Sequence, residues 1–460
     1  MRNLSKEQLG IAEALEEKLA RHRGKNEEKT KRYDGTFIPE QWNIAVPPKL
    51  QNIRAVLGWP SIVVDTLEER LDFVGYHDPH GLGLASIFET NALGAESSLA
   101  HHDALLYGTG FVVVGTGFDG EPSPLITVES PNRMTGHYDR RLRRLTSAMS
   151  VIDETTATLY LPYATLTLSR SRETGKWLLN TDEDIDMHGL GRVPVVAFDN
   201  RVRTNGKGRS EITPAVAYLS DAAARTVIRM EVTSELYQAP KEVILGGDAD
   251  LLTDEDGKPI SQWTSYMGRT RQIPWSNDDE QRATPSIQQL DPVDPKPFID
   301  QVAMFGTHLA SQAGFPVSYL GNITNTAQTA DAIVAGEVRL VKRAERRQSI
   351  FGRAWREVAY LGLRIRDGRV DPEAFADVAP LWMNAATPTR AATTDAVVKL
   401  VQSGILPPDS SVVADELDLS PSQRAALERE RTQARSSSAL AAILERRSSM
   451  PPAPERTENE

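Results

Sequence analysis

Asp248, Asp250, Asp254 and Asp256 are the residues whose type and spacing come closest to a chemical site. Clustered carboxylates can hold a divalent cation through oxygen ligands, and a metal held that way could serve a DNA-processing hydrolase. As a calcium loop the run Asp254-Glu255-Asp256-Gly257 fails, because the first ligand position falls on Leu252 and the twelfth on Trp263. An acidic surface turn accounts for the same residues. Gly108-Thr109-Gly110 and Gly115-Thr116-Gly117 flank a strand-like stretch instead of joining a strand to a helix, and their spacing is not GxGxxG. Gly175-Lys176 lacks the upstream glycine of a phosphate loop. His101 and His102 are neighbours on a helical stretch and point about 100° apart, so they do not share one ion. His102 reads as a satisfied histidine on an inner face. With no nucleophile beside a base, the sequence predicts no catalytic residue, no metal site and no cofactor.

Composition narrows the remaining classes. The 460 residues suffice for two to four packed modules. The absence of cysteine excludes disulfides and thiolate metal sites. No run of about 18 apolar residues occurs, so no membrane span is expected, and Met1-Arg2-Asn3-Leu4-Ser5 opens a charged helix, not a signal peptide. The net charge is −11. A protein that grips nucleic acid is basic on the gripping face, whereas a channel through which DNA slides should avoid strong, salt-dependent phosphate contacts.

Two helix pairs and a strand-rich module organise the chain. Ser5-Lys6-Glu7-Gln8 predicts a capping box, with a helix to about His22 broken by Arg23-Gly24-Lys25-Asn26. Pro47-Pro48 and Pro60 each start a short helix, the second turning Val63, Leu67 and Leu71 inward. Asp72–Tyr76 is strand-like. Phe88, Ala92, Ala95, Leu99, His102 and Leu106 predict one helical face between Ser86 and Tyr107. Strands are expected at Phe111–Val114, Leu125–Val128, Thr156–Tyr160, Leu166–Leu168, Trp177–Leu179 and Val193–Phe198, giving a module of five to seven strands with a turn at Glu173-Thr174-Gly175. A long helix capped by Ser210 runs through Ile212, Val216, Leu219 and Ala223 to Pro240. A compact excursion with a strand at Val243–Leu245 occupies 241–297. Phe298, Val302, Phe305 and Leu309 mark a second helix, ended by Gly314-Phe315-Pro316.

After the uncharged run Asn322–Gln328, a rod of roughly 50 Å is expected from Asp331 to Arg366. Its middle, Lys342–Ser349, is polar on every side but Ala344, which suits a strut meeting charged neighbours. A small helical module follows Pro380 and Pro388, and the Pro/Ser/Glu-rich end from Ser448 is expected to be disordered. The fold class is α+β.

Ala45-Val46-Pro47-Pro48-Lys49-Leu50 and Trp59-Pro60-Ser61-Ile62-Val63-Val64-Asp65-Thr66-Leu67 together resemble the N-terminal region of portal proteins of tailed bacteriophages, a type common in actinobacterial phages. Gly208-Arg209-Ser210-Glu211-Ile212, Gly314-Phe315-Pro316 with Tyr319-Leu320-Gly321, Phe351-Gly352-Arg353-Ala354-Trp355 and Ala396–Pro407 continue the resemblance in order, over roughly residues 30 to 430. The resemblance implies a homo-oligomeric ring, usually of twelve subunits, at one capsid vertex. It carries double-stranded DNA in packaging and ejection, docks the terminase large subunit and a head-completion or adaptor protein, and contacts the major capsid or scaffolding protein. The location implied is the virion, with the host cytoplasm during assembly. No enzymatic role and no membrane partner are implied.

Carried onto this chain, 1–209 is the wing, 210–240 the first stem helix and 241–297 the clip. Residues 298–320 are the second stem helix, 321–330 the tunnel loop, 331–380 the long wing helix and following segment, 381–447 the crown and 448–460 the tail. Asn322, Ile323, Thr324, Asn325, Thr326 and Gln328 would then face the DNA channel. Lys342, Arg343, Arg346 and Arg347 would pair with acidic groups across subunits. The alternatives are another phage head or tail structural protein and the metal-dependent hydrolase on the aspartates above.

Overall fold

In the computed structural model, the described residues are 4–39, 53–179, 185–204, 208–237, 241–247, 270–274, 286–290, 293–321, 330–386, 390–408 and part of 410–433. Helices and sheets are both present, so the α+β class holds. Two compact units divide the chain, at Ala386/Thr387. Asp248, Asp250, Asp254, Asp256, the run Asn322–Gln328 and the tail from Ser448 lie outside the described residues.

Helix α1 (Lys6–Tyr33) opens with the expected capping box: Ser5 Oγ accepts from the Gln8 N–H, and Gln8 Oε1 accepts from the Ser5 N–H. It does not stop at His22. A glycine inside a helix costs only about 1 kcal/mol, and tertiary contacts beyond Gly24 offset that. Buried Asn26 donates to the Pro131 carbonyl, Lys29 donates to the Tyr107 carbonyl, and the Thr30 hydroxyl meets that of Tyr107. The inner face of α1, with Ala12 and Leu15, covers a six-stranded antiparallel sheet through Met149, Leu159, Leu168 and Trp177.

That sheet takes the order β4 (Met134–Asp139), β5 (Arg144–Val151), β6 (Thr156–Tyr160), β7 (Thr165–Arg170), β8 (Trp177–Leu179), with β9 (Ile185–Asp186) also on β7. Beside it, β2 (Thr109–Gly115) lies between β10 (Val195–Asp199) and β3 (Leu125–Glu129). The region therefore holds more strands than expected, because β4, with Thr135, Gly136, His137 and Asp139 among its six residues, has too few apolar positions to read as a strand.

The expected single helix across Ser86–Tyr107 is two, α3 (Leu84–Thr90) and α4 (Leu93–Tyr107). Asn91 breaks it: its amide donates to the Ile87 and Pro124 carbonyls, and its oxygen accepts from the Ile126 N–H, tying the break to β3. Ala92 follows at φ 48°. The interruption turns α4, so Ser97, Ala100, His101, Ala104 and Leu105 are buried while Leu99 is exposed. The inner histidine is His101, not His102.

The largest core gathers α2 (Trp59–Glu68), α4, β1 (Phe73–His77) and the long helix. At its centre Phe73 stacks on Trp355 at 4.7 Å and His101 on Phe351 at 5.2 Å. Trp355 Nε1 donates to His101 Nε2 at 2.8 Å. Burial pushes the His101 imidazole down to about 3, so the ring is neutral. β1 pairs with β14 (Ala379–Trp382), bringing the segment after the long helix back against the start of the chain.

Helix α5 (Pro214–Tyr237) packs along α6 (Lys296–Ala313). Between them in sequence, β11 (Lys241–Gly247) pairs with β12 (Thr270–Pro274) in parallel and with β13 (Ser286–Leu290) antiparallel, where one strand was expected. Gly314 at φ 79° ends α6, and a 3-10 turn covers Val317–Leu320. The rod is α7 (Ala330–Asp367), 38 residues, followed by α8 (Pro372–Ala376). The second unit, by itself, contains α9 (Arg390–Gln402), which buries Val397.

Candidate functional site: the junctions of the long helix

Ser210 does not cap α5. Its hydroxyl donates to the Leu106 carbonyl and accepts from the Ile212 N–H, while Thr213 Oγ1 accepts from the Val216 N–H in the first turn. The segment before α5 is thereby stitched to the end of α4. Gly108 and Gly208 make this possible: a Cβ on Gly208 would lie 1.9 Å from the Gly108 carbonyl oxygen.

Glu211 enters the protein at this crossing, with its side chain 1% exposed. Arg347 Nη2 donates to Glu211 Oε1 at 2.7 Å, and Arg343 Nη2 to Oε2 at 2.6 Å. Arg201 reaches Oε2 at 3.3 Å and the Asn200 amide reaches Oε1 at 3.1 Å. Arg347 Nε also donates to Asn200 Oδ1. Burial would raise the Glu211 carboxyl, but the guanidiniums of Arg343, Arg347 and Arg201 outweigh it and hold it below the usual range. A buried carboxylate with this many donors is ionised and satisfied.

The basic centre of the rod thus divides. Arg343 and Arg347 stand four residues apart on one face, beside fully buried Ala344, and both turn into their own chain. This differs from the expectation that all four cations meet a neighbouring subunit. Its physical reason is Glu211, an acid that would otherwise be buried unpaired. Lys342 pairs with Glu345 at the surface, and Arg346 is exposed.

A second junction ties Tyr319, at the end of the 3-10 turn, to Glu337 in the first turns of α7. Arg70 Nη2 lies 3.1 Å from Glu337 Oε2 and 3.2 Å from the Tyr319 hydroxyl, which itself donates to Glu337 Oε1. Arg70 Nη1 also donates to the Ala385 carbonyl at 2.7 Å. Burial and the Glu337 carboxylate push the Tyr319 phenol up, so it remains a donor. Nearby, Arg339 donates to the Ser311 carbonyl in the last turn of α6, where a cation complements the helix dipole. Tyr319, before 322–329, and Glu337, after it, are therefore fixed to each other and to Arg70 in the turn after α2.

These arrangements hold structure in place. None sets a nucleophile against a base, and no group of three or more His, Asp or Glu suited to a metal occurs among the described residues. Glu211, Asn200 and Arg70 escaped the sequence reading as interacting groups, because their partners lie far away along the chain.

Residues 22–413 match the family model described as phage portal protein, SPP1 Gp6-like. The portal proteins of Mycobacterium phages D29 and L5 are each 31% identical to this chain, over 393 and 395 residues, covering 82% of this chain and 78% of each relative. Among solved structures, the neck of an empty gene transfer agent particle computed with C6 symmetry aligns at TM-score 0.43 and 13% identity, over 79% of this chain and 90% of that one. The native particle's neck, computed with C12 symmetry, aligns at TM-score 0.40 with the same identity and coverage.

Proposed function

The chain belongs to the SPP1 Gp6-like phage portal protein family, and from that premise we propose how its parts serve a portal. Copies close into a ring at one capsid vertex, which passes double-stranded DNA in packaging and ejection. The ring holds twelve subunits, docks the terminase large subunit and a head-completion or adaptor protein, and meets the major capsid or scaffolding protein. It acts in the virion after assembly in the host cytoplasm, and has no catalytic part.

The observation that carries this is the match over residues 22–413, together with the order of elements from α5 to α7. Helices α5 and α6 pack side by side and form the stem, with 241–297 as the clip at one end. Residues 321–330 then form the tunnel loop, and α7 carries load outward into the wing. The Glu211 cluster supports this reading: it joins the root of α5 to the middle of α7 by ionic contacts that any relative movement of the two would break. Lys342 and Arg346, both exposed, remain the candidates for contact with a neighbouring subunit.

Native mass spectrometry and negative-stain imaging of the purified protein test the ring. Heterologous contacts that close by rotation give a discrete assembly, for twelve copies of the 50.7 kDa chain about 608 kDa. A monomer at every concentration and salt would refute the proposal.

A further inference from the structure

Strands β4 and β5 end on the rung Asp139–Arg144, and between those two residues run Arg140, Arg141, Leu142 and Arg143. The tip is built by its own hydrogen bonds. Asp139 Oδ1 accepts the N–H groups of Arg141 at 2.7 Å and Leu142 at 2.9 Å, and Arg143 adopts φ 54°. Arg140, Arg141 and Arg143 are exposed and Arg144 half-buried. Among the described residues, none of these four side chains has a hydrogen bond or ion pair. Behind the tip a cavity of about 190 Å³ is lined by Arg143, Arg144, Arg353, Tyr138, Asp199 and Glu357. Its two carboxylates are engaged elsewhere: Glu357 by Arg192 at 2.8 Å and Asp199 by the Thr109 hydroxyl at 2.6 Å.

Four arginines gathered on one turn repel each other, in a chain whose net charge is −11. Their electrostatic complement is an anion with closely spaced charges. All are arginine and none lysine, and the guanidinium fork matches the paired oxygens of a phosphate. A two-stranded β-ribbon fits the major groove of B-DNA, about 12 Å wide. There, arginines on the two sides of the tip would reach phosphates on the two groove walls. A second copy of this chain, whose net charge is −11, is the other anionic surface on offer, and the native-mass arm of the test separates it from DNA.

We propose that the β4–β5 tip is a phosphate-binding site for the backbone of duplex DNA, independent of base sequence and separate from residues 322–329. The proposal rests on the portal reading only for bringing DNA near. Each neutralised phosphate changes the slope of log affinity against log salt by about −0.9, so four contacts give roughly −3.6 and a loss of about a hundredfold between 50 and 200 mM salt.

The test is fluorescence anisotropy of full-length protein with a labelled 30-base-pair duplex across that salt range. The variant replaces Arg140, Arg141, Arg143 and Arg144 by Ala, with circular dichroism to check folding. A milder R140Q/R141Q pair decides if the first does not fold. Loss of at least tenfold in affinity at 50 mM, with the slope flattened by about 3.6 in the fourfold variant and about 1.8 in the pair, is expected. Equal affinity and slope would overturn the proposal. So would a drop in native mass with DNA binding unchanged, which would make the tip a contact between copies. Native mass is measured without DNA, so the two readings separate: a monomer whose variant loses DNA refutes the ring and keeps the tip, and an intact ring indifferent to the variant does the reverse.

Discussion

Arg347 donates to Glu211 at 2.7 Å across 136 residues of sequence, and both side chains are almost wholly enclosed. This pair fixes how the rod's charges must be tested. Arg347→Glu places a second carboxylate against Glu211 inside the protein, and breaking a buried pair costs about 3–5 kcal/mol. Chemical denaturation should show that loss, or no folded protein. Arg346→Glu, on the exposed side, should leave the denaturation midpoint unchanged and act only on assembly, read by native mass. Similar destabilisation by both would mean that the rod is oriented differently.

Two glycine substitutions, one at the crossing and one in α1, have opposite expected effects. Gly208→Ala drives a methyl group into the Gly108 carbonyl and should abolish the folded yield. Gly10→Ala, in α1 with nothing within 4 Å of its Cβ, should raise stability by about 0.5–1 kcal/mol. Thermal melts of the two variants check both.

Stability should fall in acid through His101. Its folded value, about 3, lies below the ordinary histidine value of 6.5. Its contribution is therefore complete above 6.5 and is lost progressively as pH falls toward 3, because the unfolded chain takes up the proton first. At pH 5 the loss is about 2 kcal/mol. Urea midpoints at pH 7.5 and 5 should differ in the native chain and differ less in His101→Gln. Glu211, held below its usual range, adds a loss in the same direction, beginning near its unfolded value of 4.5. An unchanged pH slope in His101→Gln would assign the effect to other groups.

The run Asn322–Gln328 carries no charge. If it faces the channel, replacing Thr324 and Asn325 by Arg adds a ring of cations at one constriction. Rings should still form, and packaging in a reconstituted system should slow or stop, more at low salt, where phosphate attraction is strongest. Normal filling at low salt would place this run away from DNA.

Periodicity made the helices and most strands legible. Phe298 to Leu309, the capping box at Ser5 and Gln8, and the rod from 331 were readable because each signal is local. What failed was settled by distant partners. Asn91 breaks a helix because β3 and Pro124 offer it hydrogen bonds, and α1 passes Gly24 because Tyr107 and Pro131 wait beyond it. At the second junction, Tyr319 stood in a stretch that carries the resemblance, yet nothing near it in sequence named Arg70 or Glu337 as its partner. Arg343 and Arg347 looked like surface charge because a helical pattern cannot reveal a buried acid on another segment. The β4–β5 tip was passed over since its strands are short of apolar residues, although four arginines around Leu142 were plain in the sequence.

The long helix is held at Glu337 by Arg70, at Arg347 by Glu211 and at Trp355 by His101. At about 100° per residue, positions 337 and 355 share one azimuth while 347 lies about 80° round from them. Contacts on two azimuths stop a cylinder from rolling about its own axis. Torque applied where the chain leaves 322–329 is therefore not dissipated as spin between positions 337 and 355. It passes instead through these three contacts into the main core, which must turn with the helix.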